Sequence, residues 1–390
     1  MNGGAAGFVE VAKIGGLTVM LALAWLAGGS AATAGTFVYV SNADDGDISA
    51  FTLKADGELQ PGPRVKAASV VMPMTVSPDR RFLYAASRSK PYAVHAYSID
   101  SATGGLTPLG SAPLVDSFPY ISLDRTGRFL FGASYGSNLI SVNPVGADGR
   151  VAVDPLQIIA IGRNAHSILV DATNRFVFVP TLGTDQIFEF TFDAKSGYLT
   201  SNTPPILQMK IGTGPRHFVF SRDNRFAYVL SELLATVTTL SLDTKTGLLI
   251  EVSSASGLPP DSKLGPGAPR GTVGGPNVTP RNTDNDIWAA DIHLTPDERF
   301  LYISERTSSS LSGFGVDKAT GTLTYLSTTP TEKQPRGFAI DPTGRFLVAS
   351  GEKSPTISVY AIDPANGALR LLRQYPTGKG ANWVEIVSFD

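Results

Sequence analysis

The sequence predicts an all-β fold: one seven-bladed β-propeller whose ring closes by pairing of the C-terminal strand with the first blade. Three observations predict it: an aromatic strand opening repeated seven times, a turn glycine after each copy, and two chain ends that complement each other. The openings are FVYVSN at 37–42, FLYAAS at 82–87, FLFGAS at 129–134, FVFVPT at 176–181, FAYVLS at 226–231, FLYISE at 300–305 and FLVASG at 346–351. Their spacings are 45, 47, 47, 50, 74 and 46 residues, and all but the 74-residue interval match the period of four-stranded propeller blades. A lone blade would leave an apolar face in water, so the units must stack on one another.

Each element of the unit has its own signal. Six copies carry a lead-in, SPDRRF, DRTGRF, DATNRF, SRDNRF, TPDERF and DPTGRF, where Asp, Asn or Gly at the tip suits a tight turn between antiparallel strands. A third strand follows, such as AVHAYSID at 93–100 or TISVYAID at 356–363. Then come the turn glycines Gly57, Gly104, Gly149, Gly197, Gly247, Gly321 and Gly367, each expected to precede a shorter fourth strand. The first unit lacks an inner strand, and NWVEIVSF at 382–389 resembles the missing piece, so the C-terminus can complete the first blade and remove the exposed edges. The 74-residue interval contains an insertion, about 252–285, rich in Gly, Pro, Asn and Ser and without a strand pattern. It reads as a surface loop, with a substrate lid as the alternative.

Composition narrows the function classes. Hydrophobic residues make up 42% and charged residues 17%, enough apolar material for a core. A net charge of -2 gives no reason to expect nucleic acid or an anionic membrane as partner, though it allows a local cationic pocket. The absence of cysteine removes disulfides, thiolate metal sites and cysteine nucleophiles. At the N-terminus, Lys13, the apolar stretch IGGLTVMLALAWLAGG and Ala32-Thr33-Ala34 read as a signal peptide over residues 1–34, leaving the propeller at 35–390. The expected location is therefore exported, in the periplasm. The alternatives are a retained membrane anchor, or a cytoplasmic protein if the extension is misassigned.

Register turns the repeat into a candidate site. Each inner strand runs toward the SPD-like turn and each aromatic strand returns, so inner-strand starts and aromatic-strand ends share one face of the ring. Met72, Pro119, His166, Arg216, Ala290, Arg336 and Trp383 align at the start, followed by Pro73, Tyr120, Ser167, His217, Asp291, Gly337 and Val384. Arg88, Tyr135, Leu182, Glu232, Arg306 and Glu352 lie at the returning ends. Propellers commonly bind ligands at the channel mouth, where equivalent positions converge. His166 and Glu232 are candidates for proton transfer, while Arg216, Arg306 and Arg336 can clamp an anion or stabilise developing negative charge. His217, Asp291 and His293 stand close by as substrate-binding or supporting groups. The bland alternatives are a satisfied core histidine, inter-blade ion pairs and a structural polar network. The histidines are dispersed and lack metal-ligand spacing, so neither metal nor cofactor is expected.

The segments MTVSPDRRFLYAASR, ISLDRTGRFLFGASYGSN, AHSILVDATNRFVFVP, GPRHFVFSRDNRFAYVLSE, WAADIHLTPDERFLYISERTSS, QPRGFAIDPTGRFLVASGEKS and GANWVEIVSF follow one another in order. Over residues 36–390 they resemble the lactonase family of seven-bladed propellers, especially its bacterial 6-phosphogluconolactonases. The same superfamily includes fungal lactonising propellers that act on muconates. Their implicated histidine, arginine, glutamate and second arginine correspond to His166, Arg216, Glu232 and Arg306. The resemblance implies hydrolysis of a small anionic sugar lactone, with 6-phosphogluconolactone nearest and no obligatory protein partner. An exported lactonase or lactone-forming enzyme for another sugar or carboxylated lactone is one alternative. A non-catalytic propeller that binds protein or carbohydrate is the other. Two departures from the bacterial pattern stand out, the export signal and the long insertion before WAADIH.

Overall fold

The structure is a computed structural model and describes residues 35–270 and 282–389. The expected signal peptide lies outside the described residues, as does part of the insertion. The described chain forms seven four-stranded antiparallel sheets around a channel. Blades two to seven span 71–113, 120–160, 169–208, 215–256, 289–330 and 338–376. Blade one combines the strands Thr36–Asn42, Asp47–Leu53 and Leu59–Lys66 with Ala381–Ser388 from the other end of the chain. That last strand pairs antiparallel with Thr36–Asn42 from Thr36↔Ser388 to Val40↔Val384, which closes the ring as the sequence predicts.

The RF dipeptide of the lead-in is an inter-blade latch. Arg81, Arg128, Arg175, Arg225, Arg299 and Arg345 each lie 4.7–5.6 Å over the ring of the phenylalanine that follows. Each also donates to a carbonyl of the next blade, on Ala147, Ala194, Thr244, Lys318, Pro364 and Ala55 respectively. The same ring meets that blade's turn glycine: a Cβ on Gly149 would fall 2.5 Å from Phe82, and one on Gly321 would fall 2.7 Å from Phe226. These glycines also have φ near +70 to +86°, so an L side chain there would be strained as well as crowded. The repeated Phe, Arg and Gly are thus one packing unit, which explains why they recur with the blade period.

Several local expectations are corrected. The left-handed turn position in SPDRRF and TPDERF belongs to Arg80 (φ 62°) and Glu298 (φ 57°), not to Asp, Asn or Gly. The outermost strands are mostly longer than expected, eight to ten residues in six blades, and only Gln157–Ala160 is short. In blade five the outer strand runs through Ser256, so the irregular part of the insertion starts at 257 rather than 252. Its described segments fold back on the blade: the Gly267 amide donates to Leu233 and the Ile287 amide to Gly265. Finally, inner strands carry bulges at the mouth. Pairing jumps from Pro215↔Ser231 to Phe218↔Val229, and from Ala289↔Glu305 to Ile292↔Ile303. Two residues then oppose one, which frees adjacent side chains from strict alternation.

Candidate active site at the channel mouth

Four of the predicted residues converge. Glu232, at the end of the Phe226–Ser231 strand, accepts from Arg216 Nε at 2.6 Å and from Arg306 Nη2 at 3.0 Å, both on Oε2. His166 Nε2 stands 4.0 Å from the same oxygen. Arg216 also donates through Nη1 to the Ala290 carbonyl. Arg306 donates through Nε to Trp288 O at 3.0 Å and through Nη2 to Ala289 O at 3.1 Å. Three blades therefore supply a buried carboxylate between two guanidinium groups, with an imidazole beside it. His166 lies just before the short inner strand Leu169–Val170 rather than within it, held by its amide bond to Pro180 O at 3.1 Å.

These groups border a cavity of about 110 Å³ whose wall includes His166, Glu232, Arg306 and Arg336, together with Arg88 and Arg270. Arg216 is not part of that wall. It is fully buried and reaches Glu232 from behind. Arg336 faces Glu352 at 3.8 Å, and Gln334 holds that carboxylate at 2.6 Å. Among the described residues, four arginines against one carboxylate give the cavity wall a surplus of positive charge.

His217, Asp291 and His293, expected at the rim, line a second cavity of about 130 Å³ deeper in the channel. The bulges account for the difference: Arg216 serves the upper cluster and its neighbour His217 serves the lower. Asp291 Oδ1 meets His217 Nδ1 at 2.9 Å, and Oδ2 meets His293 Nε2 at 3.1 Å. The Ile292 and Phe338 amides donate to the same two oxygens, so the carboxylate is fully occupied. The layers touch where the His166 and His217 rings meet edge to face at 5.2 Å. Among the described residues, no cluster of three or more His, Asp or Glu is placed to hold a metal ion.

Electrostatics separate the layers further. Burial, reinforced by the charges of Arg216, His217, Arg336 and Arg306, holds His166 well below the usual imidazole range, so it is neutral at pH 7. His217 is pushed down to about 3 by burial and Arg216, against the pull of Asp291. Burial lowers Arg216 to about 10 and Arg306 to about 9, and both remain charged at neutral pH. Burial would raise Asp291, but the His293 charge and the two imidazole hydrogen bonds outweigh it and hold its carboxyl low. Among the described residues, His166 Nδ1, Arg216 Nη2 and His217 Nε2 are buried without a hydrogen-bond partner, which leaves polar capacity at the site.

Sequence register brings Arg88 and Tyr135 to this rim without marking them as functional. It does not reach Trp288 and Arg270 at all. Arg270 belongs to the insertion, which has no repeat register, so no periodic signal could find it. Trp288 could have been noticed as one of only three tryptophans, placed at the start of WAADIH.

A closed seven-bladed ring with a carboxylate, an imidazole and clustered guanidinium groups at one mouth defines a propeller whose site attracts anions and can move protons. The chain belongs to the lactonase family of such propellers: residues 31–386 match the family described as Lactonase, 7-bladed beta-propeller. It is 40% identical over 304 residues to the 6-phosphogluconolactonase of Serratia proteamaculans, and 39% identical over 304 residues to that of Pectobacterium carotovorum subsp. carotovorum. Each alignment covers 78% of this chain and 84% of the relative. Among solved structures, the periplasmic gluconolactonase of Pseudomonas aeruginosa superposes with a TM-score of 0.77 at 26% identity, over 92% of this chain and 99% of that one.

Proposed function

We propose that this protein hydrolyses 6-phosphogluconolactone to 6-phosphogluconate. The observation that supports it is the convergence of His166, Glu232 and Arg306 on one positively charged cavity, in a chain of the lactonase family. Water attacks the lactone carbonyl carbon and gives a proton to neutral His166. Glu232, 4.0 Å from Nε2, stabilises the imidazolium that forms. Arg306, on the cavity wall, faces the tetrahedral oxyanion. Arg216 acts as a positioning residue that fixes Glu232 from behind. The intermediate then collapses, the carbonyl–ring-oxygen bond breaks, and His166 returns the proton to the departing oxygen. Arg336 binds the phosphate. His217, Asp291 and His293 hold the floor beneath His166. Steady-state hydrolysis of 6-phosphogluconolactone, corrected for spontaneous opening, tests the proposal; a rate no faster than the uncatalysed one would reject it.

An unphosphorylated aldonolactone is the second reading, favoured by the likeness to the Pseudomonas aeruginosa periplasmic gluconolactonase. A higher kcat/KM on glucono-δ-lactone than on its phosphorylated form would select it. Export with removal of residues 1–34 fits the same reading and rests on the apolar stretch before Ala32-Thr33-Ala34. Cell fractionation with N-terminal sequencing tests this, and a cytosolic protein that retains Met1 would overturn it.

A further inference from the structure

The wall of the mouth cavity holds two kinds of arginine. Arg306 commits Nε and Nη2 inward, to Glu232, Trp288 O and Ala289 O, which leaves Nη1 for the reacting carbonyl. Arg270 does not: among the described residues, no carboxylate pairs with its side chain. Its Cζ lies 3.7 Å from the centre of the Trp288 ring, and so does that of Arg306. Two guanidinium carbons cannot occupy one face at that distance, so the indole is held between them. The Arg270 backbone is fixed as well, because Tyr135 Oη donates to its carbonyl at 2.9 Å. A planar cation is thus set on an aromatic platform, tied to a second blade and, among the described residues, left with its hydrogen-bonding edge uncommitted beside the cavity. Arg88 and Arg336 border the same cavity, so a dianionic group there would meet three guanidinium groups.

We propose that Arg270 is a specificity-determining residue that selects a lactone bearing an acidic substituent, so that the insertion sets the substrate class. This rests on the lactonase reading above. An arginine fork on a fixed platform suits the oxygens of a phosphate or carboxylate, whereas a neutral hydroxymethyl group offers it little. The neutral lactone's ring carbonyl is still served by the inner cluster, so the two substrates should depend on Arg270 unequally.

The test compares wild type, Arg270→Ala and Arg270→Lys. One measurement is kcat/KM on 6-phosphogluconolactone and on glucono-δ-lactone. The other is the affinity for 6-phosphogluconate and for gluconate by calorimetry. In Arg270→Ala the ratio of the two kcat/KM values should fall at least tenfold through KM, and preference for the phosphorylated product should fall similarly. Lysine should restore part of both. Equal losses on both substrates, or no loss, would overturn the inference. If wild type accelerates neither lactone, the hydrolase reading fails on its own. Calorimetry then still decides this inference, because equal binding of 6-phosphogluconate by wild type and Arg270→Ala would reject it.

Discussion

The chain carries two rings of arginine that differ in what occupies their nitrogens. In the outer ring, each latch arginine stacks on its own phenylalanine and donates to the neighbouring blade, six times over. In the inner group, Arg216 and Arg306 share one carboxylate, Arg270 rests on an indole, and no two have the same surroundings. Repetition marks the arginines that build the ring, and departure from repetition marks those beside the cavity. Substitution should separate the two groups, the inner ones through turnover or substrate binding and the outer ones through stability.

The largest expected effect is at the centre of the inner group. Glu232→Gln should lower kcat by about 100–1,000-fold, because the carboxylate behind the proton carrier and its arginines is lost. Rates must be measured well below the unfolding transition, since two buried guanidinium groups lose their counter-charge. Arg216→Ala should fall nearly as far in kcat with little change in KM. Arg216→Lys should recover part of that loss, which a merely structural role would not predict. Gly321→Val tests the outer ring: its side chain would enter the Phe226 ring at a left-handed φ of +74°, and unfolding free energy should drop by roughly 3 kcal/mol. Arg225→Ala should cost about 1 kcal/mol in urea titrations and leave kcat/KM of the folded enzyme unchanged.

The smallest effect concerns the channel floor. Burial pushes Glu385 up to about 7 against the hydrogen bond from Trp383 Nε1. The folded state therefore keeps a proton that an unfolded glutamate loses near 4.5, and stability is given up as pH rises from about 4.5 to 7. Glu385→Gln does not titrate. It should match wild type near pH 4.5 and become the more stable of the two as pH rises through 7, by a gap in urea midpoints that levels off by pH 8. Equal pH profiles would show that Glu385 is ionised in the folded ring.

Blade number, strand order and ring closure were legible because the repeat reports them seven times over. Convergence of His166, Glu232 and Arg306 was legible for a related reason: ring symmetry maps equivalent register positions to one mouth. Depth was not legible. Adjacent residues such as Arg216 and His217 fall into different layers through a bulge, and a bulge has no signature in an otherwise regular strand. Arg270 was hidden because tertiary contacts from Tyr135 and Trp288 place it, not periodicity.

One blade lacks the arginine latch. Phe37 follows Thr36, and Phe389 covers its ring instead, at 6.0 Å between centroids. The same blade alone is stitched from two distant stretches of chain, without a hairpin to hold its inner strand. Detaching Ala381–Ser388 would break one strand pairing and leave the other six sheets paired, yet this strand brings Trp383 and Glu385 to the channel wall. The ring should therefore wear out from the inside. Under mild heating or low urea, turnover should decline and amides of Ala381–Ser388 should exchange before the bulk β signal changes, as a door slips its hinge while the frame still stands.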